Sequence, residues 1–211
     1  MAQSPKRVRV MLDGRFVADA SPLLVWEKPY YPTYFFPRDT VHEAALGDVR
    51  SYAHPDAALS GHVALRWGAF DHWFEEDEEV FVHARDPFKR IEILRSTRHV
   101  VVELDDVVVA DSQRPTMLFE STLPSRHYLP ITDVRMDLLE PSSTRTQCPY
   151  KGEAHYWNVR LGDTVHRDLV WSYATPVRES APIAGMLCFY DEKLDITVDG
   201  GRQTRPTSPF S

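Results

Sequence analysis

Several things are scarce in this chain of 211 residues. It has two cysteines, Cys148 and Cys188, about 40 residues apart, so paired short Cys/His spacings of a structural zinc site are missing and no disulfide framework is encoded. No metal site and no cofactor are expected. Two cysteines fit a reducing cytoplasm. No run of about 18 apolar residues occurs, and the basic N-terminus Met1–Arg9 leads into no long apolar stretch before Asp13, so neither a membrane span nor a targeting segment is read. Basic residues are outnumbered, 24 against 31 acidic, giving a net charge of −7. Phosphate binding wants a basic face, so nucleic acid is not the expected partner. A Gly-x-Ser-x-Gly elbow and a Gly-rich dinucleotide or phosphate loop are both absent.

What is present is a soluble-globular composition, 43% hydrophobic and 26% charged, with 16 prolines and 9 glycines. Many of the prolines close β-branched or aromatic runs. That is the pattern of short strands and frequent loops.

The chain also repeats itself. Leu12–Asp19 reads LDGRFVAD and Leu104–Asp111 reads LDDVVVAD. Each is followed by an apolar run ending in an acid, LLVWE at Leu23–Glu27 and TMLFE at Thr116–Glu120. PTYFFP then ends at Pro37 and SRHYLP at Pro130. The offset is about 92 residues at first and about 93 after the acids. It grows to about 124 where Ser60–Asp71 aligns with Ala184–Asp195. About 31 residues within Pro141–Pro182 therefore have no counterpart earlier in the chain. This predicts two tandem β modules, a shortened one over 1–90 and a complete one over 91–211.

Asp13-Gly14 and Asp105-Asp106 are turn residues between β-rich runs, a hairpin signature in each module. Strands are predicted at Leu23–Trp26, Tyr34–Phe36, Met117–Phe119, Tyr128–Leu129, Ala154–Leu161, Leu169–Tyr173, Met186–Tyr190 and Leu194–Val198. Thr40–Leu46 and Val134–Leu139 are expected to be single helical turns. Trp67–Val80 is expected to be a short acidic helix, with Glu75–Glu79 as its solvated face or as a docking patch. Gly200–Ser211 is expected to be an extended or frayed tail. The predicted class is mainly β, with antiparallel sheets and minor helical turns.

The residues CPYKGEAHYW (Cys148–Trp157), DVRMDLLEP (Asp133–Pro141), LVWSY (Leu169–Tyr173) and PIAGMLCFY (Pro182–Tyr190), with the hairpin LDDVVVADS, resemble the domain of unknown function family 427. The resemblance covers nearly the whole chain and is to the double-domain, actinobacterial-type bacterial members. It implies a compact β fold of tent type, two antiparallel sheets set at an angle, and little about activity. The family carries a nucleotidyltransferase-like label, yet no Gly-Ser followed by paired metal-binding aspartates is present. The first module has no CPYKG and no WSY.

Chemistry, if there is any, is expected in the second module. Lys151 lies three residues from Cys148, where an ammonium would stabilise a thiolate. Tyr128, Tyr150, Tyr156, Trp157, Trp171, Tyr173 and Tyr190 supply flat walls. The expected site is lined by Tyr128, Tyr150, Lys151, Trp171, Tyr173 and Tyr190. Its expected ligand is a small molecule with a flat ring and an anionic or carbonyl group held by Lys151. Candidate catalytic residues are Cys148, Lys151 and Glu120. Cysteine catalysis needs a base, for which His155, His166 and His127 are available. Glu120, like Glu27 in the first module, could pair with Lys151 or Arg126, or act as a base with a raised pKa. The alternative is a structural or protein-interaction module in which Cys148 is filler and the aromatics are core.

Overall fold

The computed structural model describes residues 1–28, 31–121 and 123–209. The chain divides into two units, Met1–Phe88 and Lys89–Ser211. Both are mainly β, with antiparallel sheets and short 3-10 turns.

The first unit has strands β1 (Ala2–Gln3), β2 (Val8–Leu12), β3 (Arg15–Ala20), β4 (Leu23–Lys28), β5 (Tyr31–Pro37), β6 (Ser51–Tyr52), β7 (His62–Leu65), β8 (His72–Glu75) and β9 (Glu78–Glu79). They form two sheets, in the orders β1-β4-β5-β7-β6 and β3-β2-β8-β9. Alternation sends Val8 and Val10 of one sheet, and Leu24, Tyr34, Phe36, Val63 and Leu65 of the other, into a shared core. Trp73 joins them and stacks on Trp67, with ring centroids 4.3 Å apart.

The second unit has β10 (Ile91–Arg95), β11 (Val100–Leu104), β12 (Val107–Ser112), β13 (Thr116–Glu120), β14 (Arg126–Leu129), β15 (Leu139–Cys148), β16 (Gly152–Leu161), β17 (Thr164–Ser172), β18 (Leu187–Phe189), β19 (Asp195–Val198) and β20 (Gly201–Arg202). Its sheets run β10-β13-β14-β18-β17-β16-β15 and β12-β11-β19-β20. Val100, Val102, Ile196 and Val198 of the smaller sheet pack on Leu129, Val159, Val170, Leu187 and Phe189 of the larger. Each buried Val, Leu, Ile or Phe of this kind contributes about 1.5–3 kcal/mol.

Strand registers in the two units follow the same offsets as the sequence matches. Leu24 pairs with Tyr34 and Met117 with His127; Phe36 pairs with Val63 and Leu129 with Leu187. Both hairpins carry a bulge after the same residue, Val10 in one and Val102 in the other. Their turns place Asp13, Gly14, Asp105 and Asp106 at positive φ, which Asp and Gly tolerate. The larger sheet of the second unit adds β15 and β16 beyond β17, where the first unit stops at the two-residue β6.

Some expectations are corrected. Trp67–Val80 is not a helix. A 3-10 turn at Trp67–Ala69 leads into the β8–β9 hairpin, which turns at Glu76 with φ of 53°. Pairing of Val10 with Trp73 buries the indole in the core, and a helix would lose that pairing. Glu75 is a buried anchor rather than part of a solvated acidic face: Lys6 Nζ lies 2.5 Å away, and Tyr34 Oη and the Arg85 amide donate to it at 2.8 and 2.9 Å. Of the two forms expected for the 200–211 tail, its described part is extended and tied down rather than frayed. Gln203 N donates to Ile196 O at 2.7 Å, Arg205 pairs with Asp195 at 3.0 Å, and Ser208 bonds Glu192 at 2.5 Å. Phe210 and Ser211 lie outside the described residues. Among the described residues, no helix is long and apolar enough to cross a membrane.

Candidate functional site

The larger sheet of the second unit has two faces, and alternation sorts the expected site residues between them. The core-facing side takes Leu129, Val170 and Leu187. The other side takes Leu118, Tyr128, Ala154, Tyr156, Trp171 and Cys188 from five strands, with Tyr173 just past the end of β17. Ile183, from the 3-10 helix Arg178–Ile183, covers them, and Tyr190 packs at the margin. Tyr128, Trp171, Tyr173 and Tyr190 are thus brought together. Trp157, read as a wall beside Tyr156, packs against the opposite, core side, because neighbouring strand residues point to opposite faces.

The rings are tied to one another. Trp171 Nε1 donates to Tyr128 Oη at 3.2 Å, and their rings meet edge to face at 6.4 Å. Tyr190 lies 4.7 Å from Trp171, and Thr146 Oγ1 stands 3.0 Å from Tyr156 Oη. Burial pushes the Tyr128 and Tyr173 phenols well above their ordinary value, and raises Tyr190 as well. All three are neutral hydrogen-bonding groups at neutral pH.

Beside this cluster stands a charge triad. Lys151 Nζ donates to Glu120 Oε2, and Lys89 Nζ lies 2.7 Å from Glu120 Oε1. The side chains are 12%, 10% and 5% exposed for Lys151, Lys89 and Glu120. Of the two partners expected for Glu120, the structure pairs it with Lys151; Arg126 goes instead to Glu192, at 2.6 and 2.8 Å. The alternative role, a base with a raised carboxyl pKa, is not what the structure gives. Burial alone would raise it, but the Lys151 charge and the hydrogen bonds from both lysines outweigh burial and hold it below the ordinary value. With both oxygens occupied, Glu120 is a clamp for two ammoniums rather than a poised base. Lys89 also lies 5.2 Å from the centroid of Tyr150, whose ring belongs to the triad rather than to the packed aromatic cluster.

The turn that carries Lys151 is closed by the Lys151 amide on Cys148 O at 3.3 Å, and Gly152 takes φ of 99°. A Cβ on Gly152 would lie 3.4 Å from Thr175 O and 3.5 Å from Pro176 Cα, so the 174–185 segment rests directly on the turn. Val177 N donates to Lys151 O at 3.2 Å and Ser180 Oγ to Tyr150 O at 2.9 Å, fixing the two together.

Cys148 is partly buried; Cys188 is fully buried, and burial pushes its thiol well up, so it stays protonated. Among the described residues, none of the candidate bases has a hydrogen bond to Cys148. His155 pairs with Glu153 at 3.2 Å, His166 with Asp105 at 3.3 Å and His127 with Asp191 at 3.5 Å. Among the described residues, no three His, Cys, Asp or Glu side chains stand grouped as metal ligands.

Lys89 was not singled out from the sequence. It lies in the stretch joining the modules, and no local spacing ties it to Glu120. A shallow depression of about 250 Å3 opens next to Glu120, lined by Arg90, Glu92, Phe119, Ser121, Leu123 and Ser125. In the first unit the partners of Glu27 among the described residues are of another kind: Tyr52 Oη donates to it at 2.5 Å, and His54 is 4.0 Å away.

The fold and this face define a mainly-β protein of two antiparallel two-sheet units, with an aromatic and charged face on the second. The chain belongs to the family described as domain of unknown function 427, whose model matches residues 1–55 and 92–200. No curated protein matches the sequence.

Proposed function

We propose that the second unit is a small-molecule binding module, enzymatic or not. Its anchoring pole is the Lys89–Glu120–Lys151 triad, and its ligand carries an anionic or carbonyl group beside a flat ring. The observation that carries this reading is the charge count. Two ammoniums share one carboxylate, leaving one net positive charge in a nearly buried place. Each ammonium has three donors, so several remain for a ligand. An uncompensated buried charge is costly, and an anion offsets that cost. Tyr150 supplies a ring beside Lys89, and the aromatic cluster continues along the same face.

On this reading the first unit is a shortened copy that serves as scaffold. Support comes from its matching registers, from a larger sheet that ends at β6 among the described residues, and from Glu27 taking Tyr52 where Glu120 takes two lysines. We place the protein in the cytoplasm, among the double-domain, actinobacterial-type members of its family. Its two cysteines are free, as a reducing compartment requires.

The test is binding of benzoate, followed by calorimetry and thermal shift, in the wild type and in Lys151→Met. The substitution leaves Glu120 paired with Lys89, so the melting temperature should hold while affinity falls at least about tenfold, roughly 1.4 kcal/mol. Benzoate binding that is absent, or equal in the variant, overturns the reading and leaves a packed interaction module.

A further inference from the structure

Strands β15 and β17 flank β16, and each bulges where it passes the middle of that strand. The register slips between Pro141 and Arg145 on β15, and opposite Trp157–Val159 on β17. On β17 the extra residues include Asp168, held at φ of 54°, a conformation that a non-glycine residue seldom takes within a strand. The bulge is fixed by side chains. Asn158 Oδ1 accepts from the Asp168 amide at 3.0 Å, and Thr144 Oγ1 donates to Asp168 Oδ2 at 2.8 Å.

The carboxylate so held is incompletely satisfied. Asp168 Oδ1 is shielded from solvent, and among the described residues it has no hydrogen-bond partner and no cation pairs with this carboxylate. Arg145, a nearby guanidinium on β15, is turned instead onto the Ser142 and Thr144 carbonyls at 2.8 and 2.7 Å. A buried carboxylate oxygen without a donor costs free energy that a folded protein ordinarily removes by pairing. Here two bulges and a positive φ hold it in place, which is the pattern of a position kept for an incoming group.

The neighbouring surface says what kind of group. Among the described residues, Asn158 bonds through its Oδ1 and no partner takes its amide NH2. Tyr156, two residues back along the same strand and about 7 Å away, presents its hydroxyl to Thr146. The lysine-bearing turn is seven residues from Asn158, roughly 20 Å along the strand, beyond the reach of one small ligand.

We propose that Asp168, Thr144 and Asn158 form a subsite for the ammonium group of a primary arylalkylamine, with Asp168 Oδ1 accepting from the ammonium and the ring lying on the Tyr156 side. The subsite is independent of the Lys151 pole. It lies wholly on the strands that the first unit lacks or keeps as the two-residue β6.

The experiment is calorimetry and thermal shift of the full chain with phenethylamine, using phenylethanol as the uncharged control. Phenethylamine should raise the melting temperature of the wild type, and phenylethanol should not. Asp168→Asn suits a positive φ and should fold at least as well, yet lose the response. Thr144→Val, which removes the hydroxyl that orients the carboxylate, should weaken binding several-fold and reports on the site even if Asp168→Asn folds poorly. Lys151→Met should respond like the wild type, which separates this subsite from the anionic pole. No response in the wild type overturns the proposal, as does an undiminished response in Asp168→Asn; either outcome assigns the orphaned oxygen to bound water.

Discussion

Lys151 Nζ donates to one oxygen of Glu120, and the other oxygen is left to Lys89. The asymmetry of this triad makes its three members unequal. Lys151→Met leaves a neutral Lys89–Glu120 pair, and an alkyl chain of similar length fills the space. Glu120→Gln leaves two nearly buried ammoniums facing one amide. Breaking a buried pair from the side that compensates it costs about 3–5 kcal/mol. Urea denaturation should therefore show a large loss for Glu120→Gln and a loss of about 1 kcal/mol or less for Lys151→Met. Equal losses would mean that the lysines do not share the carboxylate.

Acid should unfold the second unit partly through the same group. The folded carboxyl of Glu120 titrates below its ordinary 4.5, so its contribution is present above that pH and is lost as pH falls through the folded value. Asp133 behaves alike: hydrogen bonding from Arg114 lowers it from 3.8 to about 2, so its share is lost between those values. Stability should fall steadily from pH 4.5 downward. The slope of unfolding free energy against pH should be shallower in Glu120→Gln near pH 4, and shallower in Asp133→Asn near pH 3. Parallel slopes in all three proteins would count against the lowered values.

How much of this was readable beforehand differs from element to element. The hairpins around Asp13-Gly14 and Asp105-Asp106 follow from turn chemistry between β-rich runs, and the structure has them at those residues. Strand β15 was not anticipated, because Ser142–Gln147 is polar throughout and its pairing comes from β16, not from its own periodicity. The Trp67–Val80 run misleads because the acidic block Glu75–Glu79 resembles a solvated helix, whereas Glu75 is buried by partners far away in sequence, Lys6 and Tyr34. The site divides similarly. Tyr128, Trp171, Tyr173 and Tyr190 share a face because strand parity is legible. Lys89 and Asp168 are not legible: one reaches Glu120 across a strand pairing, and the other is set by a bulge with no signature of its own.

Arg126 makes a two-pronged bond to Glu192, whose side chain is fully buried, and its guanidinium lies 5.6 Å from the Trp171 ring. The arginine stays charged: burial opposes this, but the Glu192 hydrogen bonds win. Arg126→Met should cost about 3–5 kcal/mol by stranding the carboxylate. The double change Arg126→Met with Glu192→Met should recover much of that loss, because the stranded charge is gone. A double-mutant cycle by urea denaturation measures the coupling, and additive losses would mean the pair is not a unit.

The two cysteines should report on packing directly. Cys188 sits between Tyr128 and Trp171 on its neighbouring strands, fully buried, with its thiol held protonated by burial. Labelling needs a thiolate that can attack the reagent's disulfide and a path for the reagent to reach it, and Cys188 offers neither. Cys148, at the end of β15 where the chain turns toward Lys151, is partly open. A native protein titrated with a disulfide reagent should expose one reactive thiol, and the same protein in urea should expose two. Cys148→Ala should abolish the native reaction and leave the denatured one. Fast labelling of Cys188 in the native protein would mean that this face opens on the timescale of the assay, and that the aromatic cluster is a mobile cover rather than a packed wall.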